Sequence, residues 1–204
     1  MPKSYSERER MEIIAVLREA AFESMLKQGV KKTTVDDLVK KVRIPKGTFY
    51  LFYKSKELLL YDAIMQVQEK MHVEMSVKLQ KLSHGFDAES LTDLLFDFFE
   101  MGFSIGILQL MHSGEMEVLI RKLPDEIVAE HIQEDDDFLV VLQGLFPGMS
   151  TEEVKVYSAA FRGLFFTAAY KREIGEELYD EALKLLIKGL VLQMCSERKE
   201  GRND

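Results

Sequence analysis

Residues 33–64 read TTVDDLVKKVRIPKGTFYLFYKSKELLLYDAI, and the order of residue types in that stretch decides the fold. Thr34 ahead of Asp36 and Asp37 marks a helix start, because a short hydroxyl side chain caps free N–H groups and carboxylates suit the positive first turn. Val35, Leu38 and Val39 then share an inward face until about Lys41. A turn follows over 42–44, and Pro45 suits the first position of a second short helix, where its missing N–H costs nothing. That helix is expected to end near Tyr53. Ser55, with Glu57 and Leu58 behind it, opens a long helix to about Leu82, which the SHGFD at 83–87 breaks. Helix, tight turn and short helix within 33–53 make the outline of a helix-turn-helix, whose second helix is of the size that enters a DNA major groove.

Outward from that stretch, nearly every segment has helical spacing and none alternates as a strand does, so the fold class is all-α. On the N-terminal side, residues 6–28 place Ile13, Ile14, Leu17, Ala20, Ala21 and Met25 on one stripe opposite Arg8, Glu12, Arg18, Glu19 and Glu23, and Gly29 is a stop signal. On the C-terminal side, a Phe- and Met-rich helix covers 88 to about 103. A short apolar piece spans about 105–112, and a helix runs from about Pro124 to Leu145, interrupted or exposed at EDDD (134–137). Two amphipathic helices close the chain. The first, about 151–172, starts at the cap STEE, and the second covers about 176–196.

Charge separates the chain into two functional parts. Residues 1–56 hold 13 Lys and Arg against 7 Asp and Glu, or +6, whereas residues 57–204 hold 14 against 28, or -14, within a formal total of -8. A basic module on an acidic body implies an anionic partner for the first part alone. The division expected is a helix-turn-helix DNA-binding domain over 1–56 and a helical ligand-binding and dimerisation domain over 57–204. With 204 residues and 47% apolar content the chain can fill a sizeable core. Its single cysteine, Cys195, excludes an intramolecular disulfide framework and fits a reducing cytoplasm. The charged start MPKSYSERERMEII lacks the apolar run of a signal peptide. In the most apolar window, 91–111, Asp93, Asp97 and Glu100 would each cost roughly 2.5 kcal/mol or more at a bilayer centre, so no membrane association is expected.

Within the basic module the chemistry is that of nucleic-acid contact. Gly47 removes a side chain and lets the backbone approach another surface, while Lys46, Thr48, Tyr50 and Lys54 offer donors for phosphates or base edges. Lys56 adds charge at the first turn of the next helix. Phe49 and Phe52 read as core anchors.

These residues carry a resemblance. Residues 33–64 are similar to the DNA-binding region of TetR-family transcriptional repressors, in which a Thr-Thr start, a K-G-T/S-F-Y recognition helix and a K-x-x-L helix start recur in this order and spacing. Motifs carry the likeness over 6 to about 64; beyond that it rests on length and helix pattern. The resemblance implies DNA contacts from Thr33, Thr34, Lys46, Gly47, Thr48, Tyr50, Tyr53, Lys54 and Lys56. It also implies a homodimer on an operator, a C-terminal domain that binds a small effector, and a dimer interface built from the last two helices. The function expected is that of a ligand-responsive regulator, repressing until a small hydrophobic effector releases it. Two positions depart from the pattern: Arg43 stands where the turn commonly has glycine, implying a left-handed arginine at roughly 1 kcal/mol or more, and Pro45 replaces a polar cap at about 1 kcal/mol.

For the body, Phe96, Phe99, Phe103, Met111, Phe165 and Tyr170 are candidate lining for an apolar effector, although each taken alone also reads as plain core. Glu100, Asp97 or Glu115 would pair with a cationic one. A ligand wedged there would tilt the helix at 55–82 and splay the recognition helices. Phe161, Gly163, Leu186, Gly189 and Leu190 are the dimer candidates, the two interior glycines marking close helix approach. EDDD and the four scattered histidines read as solvated or structural, no metal and no cofactor is expected, and Cys195 has no second cysteine to resolve it. The competing classes are an enzyme and a protein-interaction adaptor. A G-x-S-x-G string occurs once, at 102–106 (GFSIG), but between two helical segments with no strand ahead of it, and no H-E-x-x-H helix occurs; the intact Lys46, Gly47, Thr48, Tyr50 and Lys54 set favours DNA over the adaptor.

Overall fold

The computed structural model describes residues 5–81, 85–127, 144–146, 148–167 and 170–200. Among these the secondary structure is helical, with no strand. In chain order the helices are α1 (Glu7–Lys32), α2 (Val35–Val42), α3 (Lys46–Phe52), α4 (Lys56–Lys81), α5 (Ala88–Ile105), α6 (Ile107–His112), α7 (Glu115–Ile120), α8 (Thr151–Thr167), α9 (Lys171–Ile174) and α10 (Tyr179–Glu200). Contacts group them into two compact units, Met1–Lys70 with Gln109–Asp125, and Met71–Leu108 with Glu126–Asp204.

Local signals place most helix ends. The Ser6 hydroxyl accepts from the Glu9 N–H and the Glu9 side chain accepts from the Ser6 N–H, a reciprocal cap on α1. Thr34 caps α2 through the Asp37 N–H at 3.2 Å, and Ser55 Oγ accepts from the Leu58 N–H at 3.3 Å. Ahead of α8, Ser150 and Glu153 repeat the reciprocal cap of α1, which holds the Glu153 carboxyl below its usual range. Gly29, with φ 81 and ψ 167, breaks α1 inside its nominal span. Arg43 has φ 59 and is the one non-glycine residue with positive φ among the described residues, as its place in the turn requires. Pro45 sits one position earlier than expected. It is the N-cap of α3 and Lys46 is the first helical residue, because Pro45 O already accepts from the Thr48 N–H while its own ψ is 145.

In the first unit, α1 packs on α2 and on α7, and α2 on α3. Leu17, Ala21, Met25, Val30, Leu38, Phe49, Leu59, Leu60, Ile64 and Leu119 are essentially solvent-free there, each large side chain contributing about 1.5–3 kcal/mol by leaving water. The α7 helix was not expected from sequence. Its six residues follow a left-handed Gly114 that supplies no side-chain cap, so neither length nor start signal announces it.

The second unit is built on α5, which packs against α10, with α8 also on α10. Its core holds Leu91, Leu95, Phe99, Phe146, Phe161, Tyr179, Leu183, Ile187, Val191 and Met194. Asp87 caps α5 through the Ser90 N–H at 2.8 Å, and Gly106, left-handed at φ 85, ends it. The described part of α8 runs to Thr167, and α10 begins at Tyr179, three residues later than the expected 176. The expected helix over 124–145 lies mostly outside the described residues, as does EDDD. No described helix is long and apolar enough to cross a membrane.

Candidate nucleic-acid interface

Seven residues form α3, and their burial splits them into two faces. Thr48 and Phe49 are buried, whereas Lys46, Gly47, Tyr50 and Leu51 are exposed, as is Lys54 just beyond the helix. Gly47, Tyr50 and Leu51 are spaced i, i+3 and i+4, one stripe facing outward, and exposed Lys54 follows beyond the extended Tyr53. A Cβ placed on Gly47 would meet nothing within 4 Å, so the fold itself makes no demand for glycine there. Tyr50 and Leu51 are each 53% exposed. The Tyr50 ring meets Phe49 edge-on, centroids 5.1 Å apart, which orients it on the stripe.

Phe49 anchors this stripe from behind. Its ring is solvent-free, and Thr48 Oγ1 shares a hydrogen bond with the Tyr5 hydroxyl at 3.2 Å. Tyr5 also packs on Phe52, whose ring carries the Arg10 guanidinium at 5.0 Å. Thus Tyr5 ahead of α1 and Arg10 within it support α3, a role that no local sequence signal revealed.

Several residues expected at the interface are engaged inside the module. Thr33 is buried and its hydroxyl donates to Gly29 O at 2.8 Å. Tyr53 is 9% exposed and its hydroxyl donates to Asp62; burial, then that hydrogen bond, push its pKa up. Lys56 donates from Nζ to Val30 O at 2.9 Å and to Thr33 O at 2.6 Å, so two of its three N–H bonds are already spent on the backbone. Thr48 faces Tyr5. These four shape the interface from within, because a helix of seven residues cannot hold its own conformation and needs such ties. Lys46 remains on the surface but pairs with Asp36 at 2.8 Å, the hydrogen bond that raises its pKa. A phosphate would have to compete with that carboxylate. Thr34 is exposed, with its hydroxyl donating to Asp37. Lys54 stays exposed, and sequence reasoning passed over Leu51, whose signal was its i+4 spacing from Gly47.

The effector candidates fall differently. Phe99 and Phe165 stack at 4.1 Å with an interplanar angle of 15°, filling each other's space. Phe103 meets Tyr179 edge-on at 5.8 Å, Phe96 is half-buried, and Tyr170 is 60% exposed. Met111 lies in α6 with its side chain outside the described residues. Two lysines also approach these rings: Lys171 Nζ stands 5.8 Å from the Phe103 centroid and 5.0 Å from that of Tyr179, and Lys184 stands 5.7 Å from Phe96. Of the acidic candidates, Asp97 pairs with Lys78 at 3.4 Å and Glu115 belongs to the first unit. Among the described residues no cluster of three or more His, Cys, Asp or Glu is placed to hold a metal ion.

The dimer candidates divide by face. Phe161 is 1% exposed and belongs to its own chain's core, which removes it from any outer surface. Leu190 is half-buried against that core. Gly163, Leu186 and Gly189 are exposed, with nothing within 4 Å of a Cβ on either glycine. They belong to two apolar stripes, Val156, Ala159, Gly163 and Phe166 along α8, and Leu185, Leu186, Gly189 and Leu192 along α10, of which the sequence reading left out Val156, Ala159, Phe166, Leu185 and Leu192. Val156, Phe166 and Leu185 are 64%, 61% and 71% exposed.

Residues 17–63 match the family described as bacterial regulatory proteins, tetR family. The fold is similar to the crystal structure of a TetR-like transcriptional regulator from Rhodococcus sp. RHA1, with a TM-score of 0.59 and 19% sequence identity over 95% of this chain and 99% of that one. No curated protein matches the sequence.

Proposed function

We propose that this chain, whose residues 17–63 match the tetR family of bacterial regulatory proteins, is a DNA-binding regulator that binds an operator as a homodimer, represses transcription there, and is released by a small apolar effector. The observation that carries the reading is the outward stripe Gly47, Tyr50 and Leu51 on α3 with exposed Lys54 just beyond it, standing on a buried Phe49 in a module of charge +6. A bare backbone at Gly47 permits close approach to a groove wall, Tyr50 supplies a hydroxyl and a ring, and Lys54 a phosphate contact. Lys46 and Thr34 border the stripe.

The exposed apolar stripes of α8 and α10 support the dimer. Large apolar side chains in helical register on neighbouring helices are a usual sign of a protein interface, and the glycines between them, which this chain leaves uncovered, allow a second copy to approach closely. Two recognition helices held about 34 Å apart would then meet successive major-groove faces. For the effector, the ring faces of Phe103 and Phe96 are covered by the chain's own Lys171 and Lys184, which favours an uncharged apolar compound over a cation. The functional boundary proposed is near residue 56, with DNA contact before it and effector binding and dimerisation after.

Selection of bound sequences from a random pool of double-stranded DNA tests the reading. A two-fold symmetric motif with half-sites about one helical turn apart, or a near multiple, is the result expected. A pool that shows no enrichment would leave the adaptor or enzyme classes instead.

A further inference from the structure

The break in α1 at Gly29 is held by two side chains of opposite charge that come from distant parts of the chain. Val30 donates its N–H to Glu115 Oε2 at 2.6 Å, across 85 residues of sequence, and Val30 O accepts from Lys56 Nζ at 2.9 Å. Both polar groups of one peptide backbone are therefore taken by charged side chains, the strong class of hydrogen bond. Lys56 also reaches Thr33 O at 2.6 Å, and Thr33 bonds back to Gly29 through its N–H and its hydroxyl. Residues 29–33 thus form a turn locked from both sides, directly ahead of the Thr34 cap of α2.

Gly29 serves this lock twice. Its φ of 81 suits only a residue without a side chain, and a Cβ there would stand 2.8 Å from Glu115 Oε1, so the bare α-carbon makes room for the carboxylate. A cleft of about 220 Å³ lies beside it, with Met25, Leu26, Gly29, Leu110, Ser113 and Glu115 among its lining. Glu115 is carried by residues 109–125, a segment of the first unit whose chain neighbours on both sides belong to the second.

We propose that Glu115 is a positioning residue for DNA binding: by holding the Val30 N–H it fixes the turn at 29–33, and through that turn the placement of α2 and α3. The proposal rests on the DNA-binding reading above. Its sign separates it from plain electrostatics. An acidic side chain in a DNA-binding module repels the polyanion, so deleting it should tighten binding by charge alone; a positioning role requires the opposite.

The test measures affinity for the selected operator across a salt series, together with amide hydrogen exchange at Val30, for the wild type, Glu115→Ala, Glu115→Gln and Glu115→Asp. Glu115→Ala should bind on the order of tenfold more weakly with an unchanged salt slope, since no phosphate cation is lost, and Val30 should exchange faster. Glu115→Gln, whose side-chain carbonyl can accept the same N–H, should recover most of the affinity. Glu115→Asp keeps the charge but falls short by one methylene, and should share the loss even if the alanine variant folds poorly. If Glu115→Ala or Glu115→Asp exchanges Val30 faster yet binds the operator as tightly as the wild type or more so, the proposal is overturned and Glu115 is only a cap. A wild type that binds no DNA would instead overturn the DNA-binding reading, a result read before any variant is compared.

Discussion

Arg18 of α1 grips Asp62 of α4 with two hydrogen bonds of 2.7 Å, from Nε to Oδ2 and from Nη2 to Oδ1. The Tyr53 hydroxyl donates to the same Oδ2 at 2.5 Å. Three elements are thereby joined at one carboxylate: α1, the end of α3 and the start of α4. Each side chain of the ion pair is about one-third exposed, so the geometry of the fork matters more to its contribution than charge alone.

Tyr53→Phe should lower stability by about 1–2 kcal/mol in urea titration at neutral pH. It should also remove one pH dependence. Because the folded-state pKa of Tyr53 is raised above its usual 10.0, its contribution is complete below that pH and is lost as pH rises through the higher folded value. The wild type should therefore lose more stability than the variant between pH 10 and 12. Parallel curves in that window would show that Tyr53 titrates alike in both states.

Lys54 and Lys56 should separate two kinds of lysine two residues apart. Lys54→Ala should leave stability unchanged, weaken binding to operator and random DNA by similar factors, and reduce the slope of log affinity against log salt by about one. Lys56→Ala should cost about 1–2 kcal/mol of stability, since it strips the carbonyls of Val30 and Thr33 of their donor. Denaturant midpoints and a salt series on both variants distinguish them, and reversed outcomes would exchange their roles.

Arg43→Gly should stabilise the module by roughly 1 kcal/mol, because the left-handed turn costs a side-chain-bearing residue about that much. Arg43→Val, branched at Cβ, should destabilise it. Thermal melts of the two variants check the opposite signs.

Leu185→Glu should shift the chain toward monomer in sedimentation without lowering the stability of the monomer, since Leu185 is 71% exposed. Operator affinity should fall with the loss of the second recognition helix. Phe161→Ala, in the core, should instead cost about 3–5 kcal/mol through the cavity it leaves. A Leu185→Glu protein that sediments as the wild type does would place the interface elsewhere.

Much of the architecture was legible because its signals are local. The caps at Thr34, Ser55 and Ser150 lie within three residues of the N–H groups they serve, and the stop at Gly29 and the left-handed Arg43 follow from what one backbone position can adopt. What was not legible depends on longer range. Thr33, Tyr53 and Lys56 have the right chemistry for DNA, yet each is engaged within the module, Thr33 with Gly29 four residues away and Tyr53 and Lys56 with partners that only folding brings near. Phe161 and Phe166 sit on one helix, and which of them is covered depends on where α10 and α5 lie, a matter the helical period leaves open. The Lys171 ammonium reaches two rings of the aromatic cluster by tertiary packing alone.

By itself the sequence determined an all-helical chain, the helix-turn-helix and its place, the basic character of its first quarter and the family its module resembles. All of these rest on spacings of a few residues or on composition. Tertiary structure decided which donors face outward, which apolar stripes stay uncovered, and that a glutamate at 115 closes a turn at 30. The physical reason is range: a hydrogen bond acts over about 3 Å, and residues 85 apart in the chain enter that range only when every intervening helix has packed.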